Sequence, residues 1–323
     1  MTPSLELQPF SQATPERMQY WGGFFDAALF LDIQPRIYKH PHSSDPTLED
    51  NLIYSPYIAI KNSDKAILES LSILLPGNIH PTTTRTRDIE YKGWQLRLIR
   101  QVNAFMFITR LKPYLDYKQT QVEAMEEFLR QKREVRRELE GLDRVPKLYQ
   151  SNEDRIAVEE EFRQRLLQIK GQTFDETHLP EPARLAGIID ADASFGIYST
   201  NRHRGNGLSI EFQVHADFFS VHKGLLEELH QAYGGTKPTE EGNGVGRYAG
   251  PSWEWQVGGA GLADLLKTVE PHLIFKQTQA RLIIDFLKIK STLTRTSTDS
   301  FVNAQRTAVL QSYVDAWREL VAA

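Results

Sequence analysis

The sequence predicts an α+β protein assembled from two related halves. Short peptides recur in the same order: Gly23-Phe24-Phe25-Asp26-Ala27 returns as Gly187-Ile188-Ile189-Asp190-Ala191, and Lys118-Gln119-Thr120-Gln121 returns as Lys276-Gln277-Thr278-Gln279. The offsets between the copies are 164 and 158 residues. Such a period marks an internal duplication of a whole structural unit. Within each copy, stretches with helical spacing alternate with stretches of period two. The 323 residues, 40% hydrophobic and 25% charged, suffice for one large core or two ordinary domains.

Taken in order, residues 1–15 are polar and proline-containing and read as a flexible arm. A first repeat follows over 16–130. Its first helix runs from Glu16 through Phe25 or Asp26 and carries Met18, Tyr20, Trp21, Phe24 and Phe25; it gives way to a strand over Phe30 to Tyr38. A loop with Pro41 and Pro46 leads to Leu52 to Lys61, which alternates as a strand does. Lys65 to Leu75 is amphipathic and is stopped by Pro76-Gly77-Asn78. A strand over Tyr91 to Ile99, a helix over Val102 to Leu111 and a long helix from about Lys118 to Glu140 complete the half. A helical connector, 131–182, contains Pro146 and a charged helix from Asp154 to Lys170. The second repeat, 183–290, reads as helix 183–192, strands 195–200 and 208–214, helix 218–232, strand 251–257 and helices 260–269 and 275–289. A C-terminal extension, 291–323, holds a helix over Ala304 to Leu320.

Composition excludes several classes. With no cysteine, there are no disulfides and no thiolate metal sites. The first residues lack a signal-peptide pattern, and no apolar run is long enough to span a membrane, so a cytoplasmic or organellar interior is expected rather than secretion. The histidines lack zinc-type spacing, and the glycines of Glu241 to Tyr248 lack the lysine and helix of a phosphate loop. The net charge of -4 is not that of a uniformly basic nucleic-acid binder. Its distribution is uneven: Arg85, Arg87, Lys92, Arg97 and Arg100 crowd one region, while Glu123 to Glu161 holds much of the acid. A near-neutral sum therefore hides one basic and one acidic face.

Pro182 opens the most informative stretch, Leu185-Ala186-Gly187-Ile188-Ile189-Asp190-Ala191-Asp192-Ala193, an apolar, small-residue helix that ends in two carboxylates. It resembles the signature of the LAGLIDADG homing endonucleases, with Ile188 in place of a leucine and Ala193 in place of the closing glycine. The resemblance is to the single-chain, two-repeat members. It implies two pseudo-twofold-related α-β-β-α-β-β-α repeats and a saddle of antiparallel sheets over double-stranded DNA. The strand still wanting in each half is then assigned to Asn78 to Arg85 and Gly234 to Glu240. It also implies a monomer whose two signature helices meet at Gly23 and Gly187, and Mg²⁺ held by the last acid of each helix. Carboxylate-held Mg²⁺ suits phosphodiester hydrolysis, because it activates water and neutralises the phosphate.

Carried over residue by residue, the second half supplies Asp192 for metal, Gln213 to position water, and Lys276 as the basic group. The first half keeps Lys118 but has Ala28 where Asp192 stands, Leu29 after it, and Ile60 at the position aligned with Gln213. Asp26 and Asp190 are expected to serve the helix ends structurally. DNA contacts are expected from Lys39, Lys61, Arg85, Arg87, Arg97, Arg202, Arg204, Ser209, Glu211, Gln213 and Gln256, residue types suited to phosphates and base edges. The expected function is sequence-specific duplex binding with double-strand cleavage weak or lost. The alternatives are an active Mg²⁺-dependent homing endonuclease or nickase, and an intron RNA-binding maturase.

Overall fold

The computed structural model describes residues 13–38, 51–86, 89–140, 148–170, 178–204, 207–220, 222–241, 252–293 and 300–322. The described chain divides into two compact units, the first running to α6 and the second beginning at α7.

In the first unit, α1 (Pro15–Ala28) leads into β1 (Leu29–Tyr38) and β2 (Asn51–Asn62), then α2 (Lys65–Ser72), β3 (Gly77–Thr86), β4 (Ile89–Leu98) and α3 (Gln101–Leu111). After a short 3-10 turn come α4 (Gln119–Arg130), α5 (Arg133–Glu140) and α6 (Asn152–Lys170). The strands form one antiparallel sheet in the order β1-β2-β4-β3. Thr14 caps α1 by accepting the amide of Arg17, and Pro15 takes the first helical position, where its missing N–H costs nothing. Leu29, Leu31 and Ile33 of β1, Ile58 and Ile60 of β2, and Leu96 and Leu98 of β4 turn to the helices and are buried. Phe30, Asp32, Gln34, Tyr57, Lys61, Gln95 and Arg97 alternate onto the other face, here called the outer face. The α6 helix packs along α4, β1 and β2. It is tied there by Glu159, which is buried, accepts the Tyr54 amide and pairs with Lys132 at 2.6 Å and Arg155 at 3.1 Å.

The second unit repeats this plan with α7 (Pro182–Asp192), β5 (Ser194–Arg204), β6 (Gly207–Ser220), α8 (Lys223–Tyr233), β7 (Thr239–Glu241), β8 (Ser252–Gly258), α9 (Gly259–Val269), α10 (Gln277–Thr292) and α11 (Ser300–Ala322). Its sheet order, β5-β6-β8-β7, matches the first. The core face carries Phe195, Ile197, Phe212, Val214, Ala216, Phe218, Trp255 and Val257. The C-terminal α11 packs on α10 and β5.

Both fourth strands expected from the resemblance are present, β3 and the short β7. Three expectations on element limits are corrected. The β6 strand runs on to Ser220, so the helix expected from residue 218 starts at Lys223. The long helix expected from 118 to 140 is broken between Arg130 and Arg133 into α4 and α5. The first helix continues to Ala28. The N-terminal arm up to residue 12 and the glycine-rich segment from Gly242 to Tyr248 lie outside the described residues.

Candidate functional site

A helix leaves its last carbonyls without partners, and both repeats meet this need in the same way. In α7, the carboxylate of Asp190 turns inward and accepts three backbone N–H groups. These come from Ile274 at 2.7 Å, Phe275 at 3.0 Å and Lys276 at 2.8 Å. The ammonium of Lys276 then donates to the carbonyls of Ile189 and Ala193, at 2.9 and 2.7 Å. In α1, Asp26 accepts the amides of Asp116 and Lys118 at 3.0 and 2.9 Å, and the Lys118 ammonium donates to the carbonyls of Ala27 and Leu29. Asp26 and Asp190 are thus buried ties between the helix end and the segment before the last long helix. The two lysines place a positive charge at the negative pole of each helix. These bonds account for the recurrence of the Asp and Lys peptides at matching offsets.

What lies beyond these ties differs between the units. In the second, Asp192 is the last residue of α7 and is exposed. The first rung of the following hairpin pairs Ser194 with Asp217, which also pairs across the sheet with Gln256. Asp217 sits on the outer face, accepting the Gln256 amide at 2.7 Å and lying 3.4 Å from the His215 imidazole. His215 stacks on the Tyr198 ring at 4.8 Å between centroids. Burial, and secondarily the charge of Asp217, raise the Tyr198 phenol above its ordinary value.

In the first unit the corresponding positions are apolar. Ala28, Leu29 and Ala59 are all buried, and Phe30 lies beneath the Lys61 ammonium at 3.7 Å. Lys170 of α6 also reaches this place, 4.9 Å from the Phe30 ring and 3.1 Å from Asp32.

The sheet registers correct one expected correspondence. Ala59 pairs with Phe30 and Arg97, while Asp217 pairs with Ser194 and Gln256. Phe30 and Ser194 each stand two residues past Ala28 and Asp192, so Ala59 matches Asp217 and Ile60 matches Phe218. Gln213 pairs with Tyr198, and the first-unit residue at that rung is Ser55, opposite Gln34. Gln213 therefore stands four rungs along the hairpin from the Ser194–Asp217 rung, where the first unit has Ser55. Ile60 is buried in the core. Asp217, which no motif marked, stands on the first rung after α7. The alternation Phe212, Val214, Ala216, Phe218 continues past the expected strand end and turns Asp217 outward.

Of the expected DNA contacts, Lys61, Arg97, Glu211, Gln213 and Gln256 share the outer faces of their sheets. Arg97 lies over the Tyr57 ring at 4.7 Å, and Tyr57 donates its hydroxyl to Gln95 at 2.7 Å. Gln256 is engaged by Asp217. Arg85, Arg202, Arg204 and Ser209 lie within strands, but their side chains are outside the described residues, as are Lys39 and Arg87 altogether. Gly23 and Gly187 are buried within α1 and α7.

Among the described residues, no group of three or more histidines, aspartates or glutamates stands ready to hold a metal ion. Asp192 fits a Mg²⁺ site only in the manner of sites completed by substrate phosphates and water, where one or two carboxylates suffice. The first unit offers no carboxylate at position 28 or 59 and does not fit one. No described helix is long and apolar enough to cross a membrane.

No protein-family model matches the sequence, and no curated protein matches it. Solved structures do. The LAGLIDADG homing endonuclease I-GzeII in complex with its DNA target aligns over 92% of this chain and 97% of its own, at a TM-score of 0.55 and 14% identity. I-SmaMI bound to cleaved DNA aligns over 94% of this chain and 96% of its own, with a TM-score of 0.56 and 14% identity. I-SmaMI bound to an uncleaved DNA target in the presence of calcium ions aligns over 94% and 98%, also at 0.56 and 14%. This chain has the fold of the single-chain LAGLIDADG homing endonucleases.

Proposed function

We propose that the chain binds double-stranded DNA along the outer faces of its two sheets, and that its second unit alone keeps the acid for phosphodiester hydrolysis. The observation that carries this reading is the contrast at the two helix ends. Asp192 is an exposed carboxylate with Asp217 on the adjoining hairpin, whereas Ala28 and Ala59 are buried methyl groups. The match to DNA-bound proteins of the same fold supports the duplex as partner.

Asp192 would hold Mg²⁺, with phosphate oxygens and water filling the remaining positions; the bound ion would polarise the phosphate and supply an activated water. Around it, Lys276 fixes the carbonyl of Ala193 and keeps a positive charge beside the acid. Asp217, held by Gln256 on one side and His215 on the other, is an acceptor for a water proton on the same face. Gln213, Glu211 and Arg97 lie where base edges and phosphates would pass. With one acid absent, the activity supported is nicking of one strand, or binding alone. The match to DNA-bound structures lends nothing to the maturase alternative.

The test is selection of duplexes from a random library by the intact protein, followed by measurement of affinity for the selected and a scrambled duplex at two salt concentrations. The reading expects a preferred sequence, and affinity that falls steeply with salt. Equal affinity for both duplexes, or none for either, would overturn it.

A further inference from the structure

The ladder between β2 and β4 is short. It joins Ala59–Asn62 to Trp94–Arg97, whereas β1 follows β2 all the way from Asn51 to Ile60. Beyond Ala59 the two strands part, and the start of α3 follows directly on β4. Between them lies a cleft of about 350 Å³ lined by Arg36, Arg97 and Arg100, with Asn78, His80 and Gln101 beside them.

Among the described residues, no acid lines this cleft. Among the described residues, no carboxylate pairs with any of the three arginines, although most other described arginines and lysines of this unit are paired. Arg97 is steadied on the Tyr57 ring, so part of the lining is already ordered. Three like charges around one cavity repel one another and raise the cost of the empty state; an anion relieves that cost. Guanidinium groups match phosphate oxygens with paired N–H donors. Among the described residues, the second unit has uncharged side chains at the matching rungs: by sheet register Thr200 stands for Arg36, and Gln256 for Arg97.

We propose that this cleft takes a phosphate group of the DNA backbone, anchoring the duplex on the unit that has lost its acid. The inference rests on the duplex-binding reading above. It gives a role to Arg36 and a definite contact to Arg100, which the residue pattern placed only in a basic cluster. Their contacts fix position and carry no base information.

The experiment uses the full chain, with Arg36→Gln and Arg100→Gln made singly and together; both side chains are exposed, so the variants are expected to fold. The exposed Arg318→Gln on α11 serves as the control. The first arm measures duplex affinity across a salt series. The double variant should lower the slope of log affinity against log salt by about one, the change expected for one phosphate, and each single variant by part of that, equally for selected and scrambled duplexes. The second arm measures melting temperature in inorganic phosphate against chloride at matched ionic strength; phosphate should raise it in the wild type and not in the double variant. A wild type that binds duplex while the double variant keeps its full slope overturns the cleft and leaves the duplex reading intact. A wild type that binds no duplex but is stabilised by phosphate through these arginines keeps the anion site and overturns its assignment to DNA. Loss of both responses overturns both.

Discussion

Replacing Asp190 with alanine removes one carboxylate from three backbone amides at once. The amides of Ile274, Phe275 and Lys276 lie 2.7 to 3.0 Å from it, and Asp190 is fully buried. A hydrogen bond to a charged acceptor is worth about 1.5–3 kcal/mol, and each buried donor left unsatisfied costs about 1–3 kcal/mol. Those figures are not independent, and water entering the vacated space recovers part of the loss. The expected destabilisation is therefore about 3–5 kcal/mol, among the larger effects of single substitutions. Asp190→Asn keeps one acceptor oxygen and should cost about 1–3 kcal/mol. Asp26→Ala removes two such bonds and should fall between them. The assay is urea denaturation followed by circular dichroism, with the midpoint and slope fitted for each variant. A loss below about 1 kcal/mol for Asp190→Ala would refute the claim that this carboxylate ties the helix to the following segment.

Two further outcomes follow from the packing of the first unit. A Cβ added at Gly22 would lie 2.0 Å from the Tyr114 carbonyl oxygen, so Gly22→Ala should force α1 from the 3-10 turn and cost about 1–3 kcal/mol in the same denaturation assay. Glu126 is buried between Lys112 and Arg130, each at 2.7 Å. Burial pushes its carboxyl up, but the hydrogen bonds and charges of the two cations outweigh that and hold it below the usual carboxylate value. The unfolded chain then binds more protons than the folded one as pH falls through this range. The stabilisation is present above the ordinary carboxylate value and is lost as pH drops through the folded one. Melting temperatures from pH 7 to pH 3 should fall more steeply for the wild type than for Glu126→Gln, and parallel curves would contradict the pairing.

Much of the fold was legible because each element writes its own period. The apolar run of α7, the alternation of β2 and the Pro76-Gly77 stop needed no partner to be read. The Asp26 and Asp190 ties were visible too, since the same residues stand at the same place in both repeats. The correspondence of Ile60 with Gln213 failed for a physical reason. The repeat offset slips from 164 to 158 residues across the first hairpin, where β1 and β2 are separated by 12 residues and β5 and β6 by two. Letters cannot count a register across loops of unequal length; paired backbones can. Asp217 was lost with the end of β6, whose alternation passes through the small Ala216 and so looked finished early. The arginine cleft was illegible because Arg36, His80 and Arg100 come from three separate segments and meet only where β2 and β4 diverge.

The asymmetry between the two helix ends is tested most directly by cutting. A duplex selected by binding is labelled at the 5′ end of each strand in turn and incubated with wild type, Asp192→Asn and Ala28→Asp, in Mg²⁺ and in chelator. The account predicts that any cleavage by the wild type falls on one strand, requires Mg²⁺, and disappears in Asp192→Asn while duplex binding is retained. Ala28→Asp alone should not restore cutting of the other strand, because Ala59 and Leu29 leave that side apolar. Equal cutting of both strands by the wild type, or nicking that survives in Asp192→Asn, would contradict it.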